Sequence, residues 1–145
     1  SAGLVLLITG AGGAFGAVLR ETDLGTFAES FTQIGGLGML IPFLIAAFLK
    51  TAQGSSTVAI ITAAAITAPL LEPLGLDSVT GKALIVLAIG AGSLTVSHVN
   101  DSYFWVVAKF SEMETSTALR THTVATFIMG LTGFLSVQIL AWLLL

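Results

Sequence analysis

Six consecutive residues, Ser97-His98-Val99-Asn100-Asp101-Ser102, place a carboxylate, an imidazole, an amide and two hydroxyls inside an otherwise apolar segment. A second polar run, Lys50-Thr51-Ala52-Gln53-Gly54-Ser55-Ser56-Thr57, separates the apolar arms 37–49 and 58–71. Hydroxyls and amides of this kind hold a small polar anion, and a carboxyl group can hold or release one proton. If residues 79–109 formed one continuous helix, Asp101 would sit within its apolar length, where a charged carboxylate costs about 2.5–3.5 kcal/mol. A functional reason for Asp101 is therefore expected, and it is the candidate proton carrier. His98 alone is a weak signal, but three polar residues at 98, 100 and 101 are hard to attribute to packing. No nucleophile–base pair or metal-ligand set accompanies them, so a membrane enzyme built on Asp101 and His98 is the weaker reading. With no cysteine and two histidines, neither a disulfide framework nor a zinc or haem site is expected, and no cofactor is implied.

The elements that must position these residues are set by composition. Of 145 residues, 55% are hydrophobic and 9% charged, and the mean hydropathy is +1.01. An ordinary soluble domain carries about a quarter charged residues. Residues 1–19, 30–49, 51–71, 83–100 and 121–145 contain no Asp, Glu, Lys or Arg. A helix crossing the hydrocarbon core needs roughly 20 apolar residues, so the chain reads as an all-α, polytopic membrane protein embedded in a lipid bilayer. The net charge of −3 and five scattered basic residues exclude a nucleic-acid interface, which needs a clustered basic face. Ser1 opens the chain with no basic region before the first apolar run, so no signal peptide is read and a truncated or processed start is expected.

Along the chain, residues 1–23 form a first span whose Gly12 and Gly16 have the small-xxx-small spacing of close helix packing. Residues 24–36 place Phe27, Phe31 and Ile34 at helical spacing and read as an interfacial helix. The arms of 37–72 are each about 20 Å long as helices, shorter than the roughly 30 Å hydrocarbon core. Two short spans joined by a surface turn and a re-entrant hairpin with a buried polar tip both satisfy that pattern. Gly54 is expected to turn the tip with a positive φ, and Lys50 is expected either to snorkel to the headgroups or to face the site. Residues 78–110 form a discontinuous helix broken at the second polar run, and 115–145 form the last span. Lys109 and Arg120 flank a polar loop that the positive-inside rule places in the cytoplasm. Paired interruptions of hydrophobic segments point to a transporter site at mid-membrane, where helix N-termini meet an anion. A pore-forming or channel subunit is the alternative, with the same breaks lining a water path.

Three stretches carry a resemblance: Gly-Ala-Gly-Gly-Ala-Phe-Gly at 10–16, Lys-Thr-Ala-Gln-Gly-Ser-Ser-Thr-Val-Ala at 50–59, and Gly-Ser-Leu-Thr-Val-Ser-His-Val-Asn-Asp-Ser-Tyr-Phe-Trp at 92–105. They resemble the bacterial gluconate permeases, proton symporters of the ion-transporter superfamily, and the whole chain is similar to the C-terminal third or so of such a permease. The resemblance implies the second of two inverted repeats, with 37–72 as the re-entrant hairpin, and proton-coupled uptake of gluconate or another small organic anion. It implies a multi-pass protein of the bacterial inner membrane, a homo-oligomer, and an N-terminal repeat of the same permease as partner. The substrate would lie between Gln53, Gly54, Ser55, Ser56 and Thr57 at the tip and Ser97, His98, Asn100 and Ser102 at the break. Asp101 and His98 would couple the proton.

Overall fold

A computed structural model describes residues 37–145, with Gly3, Gly10 and Ala14 before them. The expected first span 1–23 and interfacial helix 24–36 otherwise lie outside the described residues. Among the described residues all regular structure is helical.

A short 3-10 turn, Leu37–Met39, leads into α1, Leu40–Gln53. Pro42 sits in the first turn of α1, where its missing N–H would have had no intrahelical partner. The helix stops at Gly54, whose φ of 76° is left-handed and whose N–H donates to the Lys50 carbonyl at 2.9 Å. Helix α2, Ser56–Thr67, begins at once: Ser55 is extended, and its hydroxyl accepts from the Val58 N–H at 3.3 Å. The 3-10 turn Ala68–Leu70, containing Pro69, closes that arm. Helix α3, Val79–Leu94, is capped by Ser78, whose hydroxyl accepts from the Gly81 N–H at 3.0 Å. After a non-helical stretch at 95–101 comes α4, Ser102–Phe110, and then α5, Thr115–Leu144.

Helix α3 is the centre of the assembly, packed against α1, α2 and α5. Its Leu84, Ile85, Ala88 and Ile89 are buried with Phe43 and Ala46 of α1 and Phe134 and Val137 of α5. The Phe43 and Phe134 rings stack with centroids 4.4 Å apart. Small residues let the backbones approach: a Cβ at Gly92 would run into the Phe43 carbonyl, and one at Gly130 into Thr95. A second cluster, Phe104, Ala108 and Ala118, joins α4 to the start of α5.

One described helix, α5, is long and apolar enough to cross a membrane; Leu40–Gln53, Ser56–Leu70 and Val79–Leu94 are apolar but shorter. At 30 residues α5 measures about 45 Å. Its Ile128, Leu135, Ile139, Trp142 and Leu143 are exposed, an apolar surface far larger than scattered surface side chains produce.

Candidate functional site

The end of α1, the start of α2, the 95–101 stretch, the start of α4 and the middle of α5 converge on one polar cluster. At its centre the Lys50 ammonium donates to Asp101 Oδ2 at 2.6 Å, and both residues are nearly inaccessible, at 3% and 5% exposure. Of the two alternatives for Lys50, the geometry favours the one that faces the site over snorkelling. Its ammonium has a carboxylate and, at 3.1 Å, the Gly54 carbonyl oxygen inside the protein, so it does not need to reach the headgroups.

Asp101 is held on every side. Its Oδ2 also accepts from the Ser97 hydroxyl at 2.5 Å, and its Oδ1 accepts from the Tyr103 N–H at 3.0 Å, making it the N-cap of α4. The α4 N-terminus thus already meets a carboxylate, and that carboxylate is the protein's own. Ser97 is fixed in turn by α5: its N–H donates to Thr126 Oγ1 at 3.1 Å and its carbonyl accepts from Thr123 Oγ1 at 2.6 Å. Nε2 of His122 lies 3.2 Å from the Ser97 hydroxyl oxygen. Since that hydroxyl donates to Asp101, the histidine nitrogen is the donor to it, and His122, Ser97 and Asp101 form a hydrogen-bonded chain.

The tip of the α1–α2 hairpin rests on the break. The Thr51 carbonyl, left unpaired by the end of α1, accepts from His98 Nε2 at 3.1 Å and from Asn100 Nδ2 at 2.8 Å. Gly54 lies against the Asn100 carbonyl so closely that a Cβ could not be accommodated. Ser56 reaches across to α3, donating to the Ser93 carbonyl at 2.9 Å. Val96 carries the backbone through the break at φ 41°, a left-handed conformation that a β-branched residue adopts only under strain.

A cavity of about 110 Å³ opens beside the ion pair, lined by Lys50, Ser56, Leu94, Ser97, Asp101, Tyr103, Thr126 and Met129. Of the residues singled out from sequence, Ser56, Ser97 and Asp101 line it. Gly54 and Ser55 form the turn behind it, while His98 and Asn100 join tip to break through the Thr51 carbonyl. Gln53, Thr57 and Ser102 are exposed at helix ends. The histidine that reaches the Ser97–Asp101 pair is His122, whereas His98 meets the tip backbone. The sequence left Lys50 open between the headgroups and the site, and gave no place in the site to His122, Thr123 or Thr126. A signal for Lys50 existed: it is the one charge between residues 30 and 71, and an intramembrane charge calls for an opposite partner such as Asp101. Among the described residues no cluster of His, Asp and Glu is arranged to hold a metal ion.

The model of the GntP family permeases matches residues 1–144. The chain is 40% identical over 136 residues to the inner membrane permease YgbN of Escherichia coli K12, covering 93% of this chain and 29% of that protein. It is 38% identical over 133 residues to a low-affinity gluconate transporter of the same strain, covering 91% and 30%. With the D-serine transporter DsdX of that strain it shares 36% identity over 141 residues, covering 97% and 31%. The chain therefore spans about 30% of the length of these relatives. No solved structure matches it.

Proposed function

The chain belongs to the GntP permease family, a family of transporters rather than enzymes, and on that premise we propose that it is part of a secondary transporter taking up gluconate or a related sugar acid by proton symport. It acts within the bacterial inner membrane, together with a further repeat of the same permease. The observation that carries this reading is the Lys50–Asp101 pair beside a cavity at the meeting of two helix interruptions. Buried, paired, ionisable groups at such a place are the mark of an ion-coupled transport site.

In this reading the α1–α2 hairpin is re-entrant, supported by a tip that rests on the break, and the non-helical backbone at 54–55 and 95–101 is tolerated because it lines a protein cavity. Asp101 carries the coupled proton. The relatives named for gluconate and for D-serine transport point to a shared feature of their substrates: both are carboxylates with a nearby hydroxyl. The Ser56, Ser97 and Thr126 hydroxyls that line the cavity supply partners for the remainder of such a molecule. Transport is conformational alternation about this site, with no covalent step.

The test is uptake of labelled gluconate, other aldonic acids and D-serine by the complete permease in proteoliposomes at several pH values. Saturable counterflow, and accumulation driven by an inward proton gradient, are expected. Flux without counterflow would assign the polar breaks to a channel instead.

A further inference from the structure

The buried pair has a consequence for how anion and proton are coupled. The Lys50 ammonium donates to the Asp101 carboxylate and the Gly54 carbonyl, and it faces the same cavity that Ser56, Ser97 and Thr126 line. We infer that Lys50 is the group that binds the substrate carboxylate, and that the Asp101 carboxylate occupies it as an internal stand-in until a proton displaces it. The inference rests on the transport reading above and deepens it by assigning the cation.

With Asp101 ionised, the cavity is neutral and the ammonium is taken, so an entering carboxylate would leave two anions for one cation in a poorly solvated space. With Asp101 protonated, Lys50 is an unmatched buried cation, and a substrate carboxylate restores neutrality. Each transported carboxylate thus brings one proton, and the protein carries no net charge change at this site in either state. The proton comes from the medium and is bound at Asp101 Oδ2. It returns to the medium on the opposite side when the substrate departs and the Lys50–Asp101 contact re-forms. The hydrogen-bonded chain from His122 through Ser97 ends on that same oxygen, which gives the proton a route that does not cross Lys50.

The surrounding elements contribute few other titratable groups. Helix α1 brings Lys50, α4 brings Tyr103 at the cavity wall, α5 brings His122, and the break brings His98, whose ring is turned to the Thr51 carbonyl. The polar residues facing the site from α2 and α3 are Ser56 and Ser93, which do not titrate. Asp101 is therefore the acid whose ionisation competes with an anion for Lys50.

The experiment is calorimetric binding of gluconate to the complete, purified permease in buffers of different ionisation enthalpy, with counterflow measured on the same preparations. The wild type is expected to take up about one proton per gluconate bound above the pH at which Asp101 ionises. Asp101→Asn is expected to bind gluconate with no proton uptake and no pH dependence, and to lose proton-driven accumulation while retaining counterflow. Because Lys50→Gln alone strands a buried carboxylate and can unfold the protein, the cation is tested in the neutral double variant Lys50→Gln/Asp101→Asn. Its affinity should fall at least about tenfold below that of Asp101→Asn, the loss of one charge-assisted contact. Binding without proton uptake by a wild type that still shows counterflow would overturn the competition and leave the transport reading intact. A double variant as tight as Asp101→Asn would overturn the role of Lys50. Absence of counterflow with every carboxylate tried would instead sink the transport reading itself.

Discussion

Gly54 and Gly75 provide a matched pair for measuring how tightly the hairpin tip is fitted. Both are left-handed, at φ 76° and 66°, so alanine at either position bears the same backbone penalty, about 1–2 kcal/mol. They differ in surroundings. A Cβ at Gly75 meets nothing within 4 Å, whereas one at Gly54 runs into the carbonyl group of Asn100, which is backbone and cannot rotate aside. Overpacking of that kind adds about 1–3 kcal/mol. It also displaces Asn100, and with it the contact that ties the break to the Thr51 carbonyl. Gly75→Ala should therefore lower stability by about 1–2 kcal/mol and leave the initial rate of gluconate uptake near that of the wild type. Gly54→Ala should lose roughly twice that stability and most of its uptake. On the transport reading proposed above, the assay is thermal unfolding in detergent alongside uptake by proteoliposomes loaded with equal amounts of the complete permease carrying each substitution. Equal stability and equal rates for the two variants would refute a tip held against the break.

Ser78→Ala removes the cap of α3, remote from the cavity, and should cost about 1 kcal/mol in thermal unfolding without changing the gluconate concentration for half-maximal uptake. Thr126→Val leaves the buried Ser97 N–H without its acceptor; a stability loss of about 1–3 kcal/mol is expected, and Thr126→Ser should restore it. Ser56→Cys, in a chain with no native cysteine, should react slowly with a bulky impermeant thiol reagent and more slowly still with gluconate bound. Fast labelling that gluconate does not affect would place the tip at the membrane surface rather than in a re-entrant hairpin.

The helical class and the two polar interruptions were legible because each follows from local composition. Gly54 could be assigned a positive φ because glycine between a lysine-ended apolar arm and a Ser-Ser-Thr start satisfies both a helix stop and a helix cap. The long-range pairings were not legible in the same way. His98 and His122 are equally plausible neighbours of Asp101 by type, and sequence proximity favoured His98. The left-handed turn at Val96 carries the chain through the break, where the His98 ring faces the end of α1 and Ser97 faces α5. Thr123 and Thr126 carry no distinguishing signal in an apolar helix, since a threonine hydroxyl there commonly bonds its own backbone. Thr126 does donate to the Thr123 carbonyl, at 2.9 Å, and this leaves its oxygen free to accept from Ser97.

The two sides of the cavity are held by different forces. On one side α3 is locked between α1 and α5 by Gly92, Gly130, Ala46 and the stacked Phe43–Phe134 rings, contacts that leave no room for sliding without overpacking. On the other, α4 is bound to α5 by the smaller cluster of Phe104, Ala108 and Ala118. Its link to the hairpin runs through hydrogen bonds and one ion pair: Lys50 to Asp101, and His98 and Asn100 to Thr51. Dispersion contacts of the first kind fall off over a fraction of an ångström with nothing to replace them. Hydrogen bonds of the second kind can be exchanged for bonds to water or to a ligand at a small net cost. On the transport reading proposed above, a substrate carrying its own carboxylate and hydroxyls offers the tip and the break just such replacements, so the junction held by polar contacts is the one a ligand is chemically equipped to open.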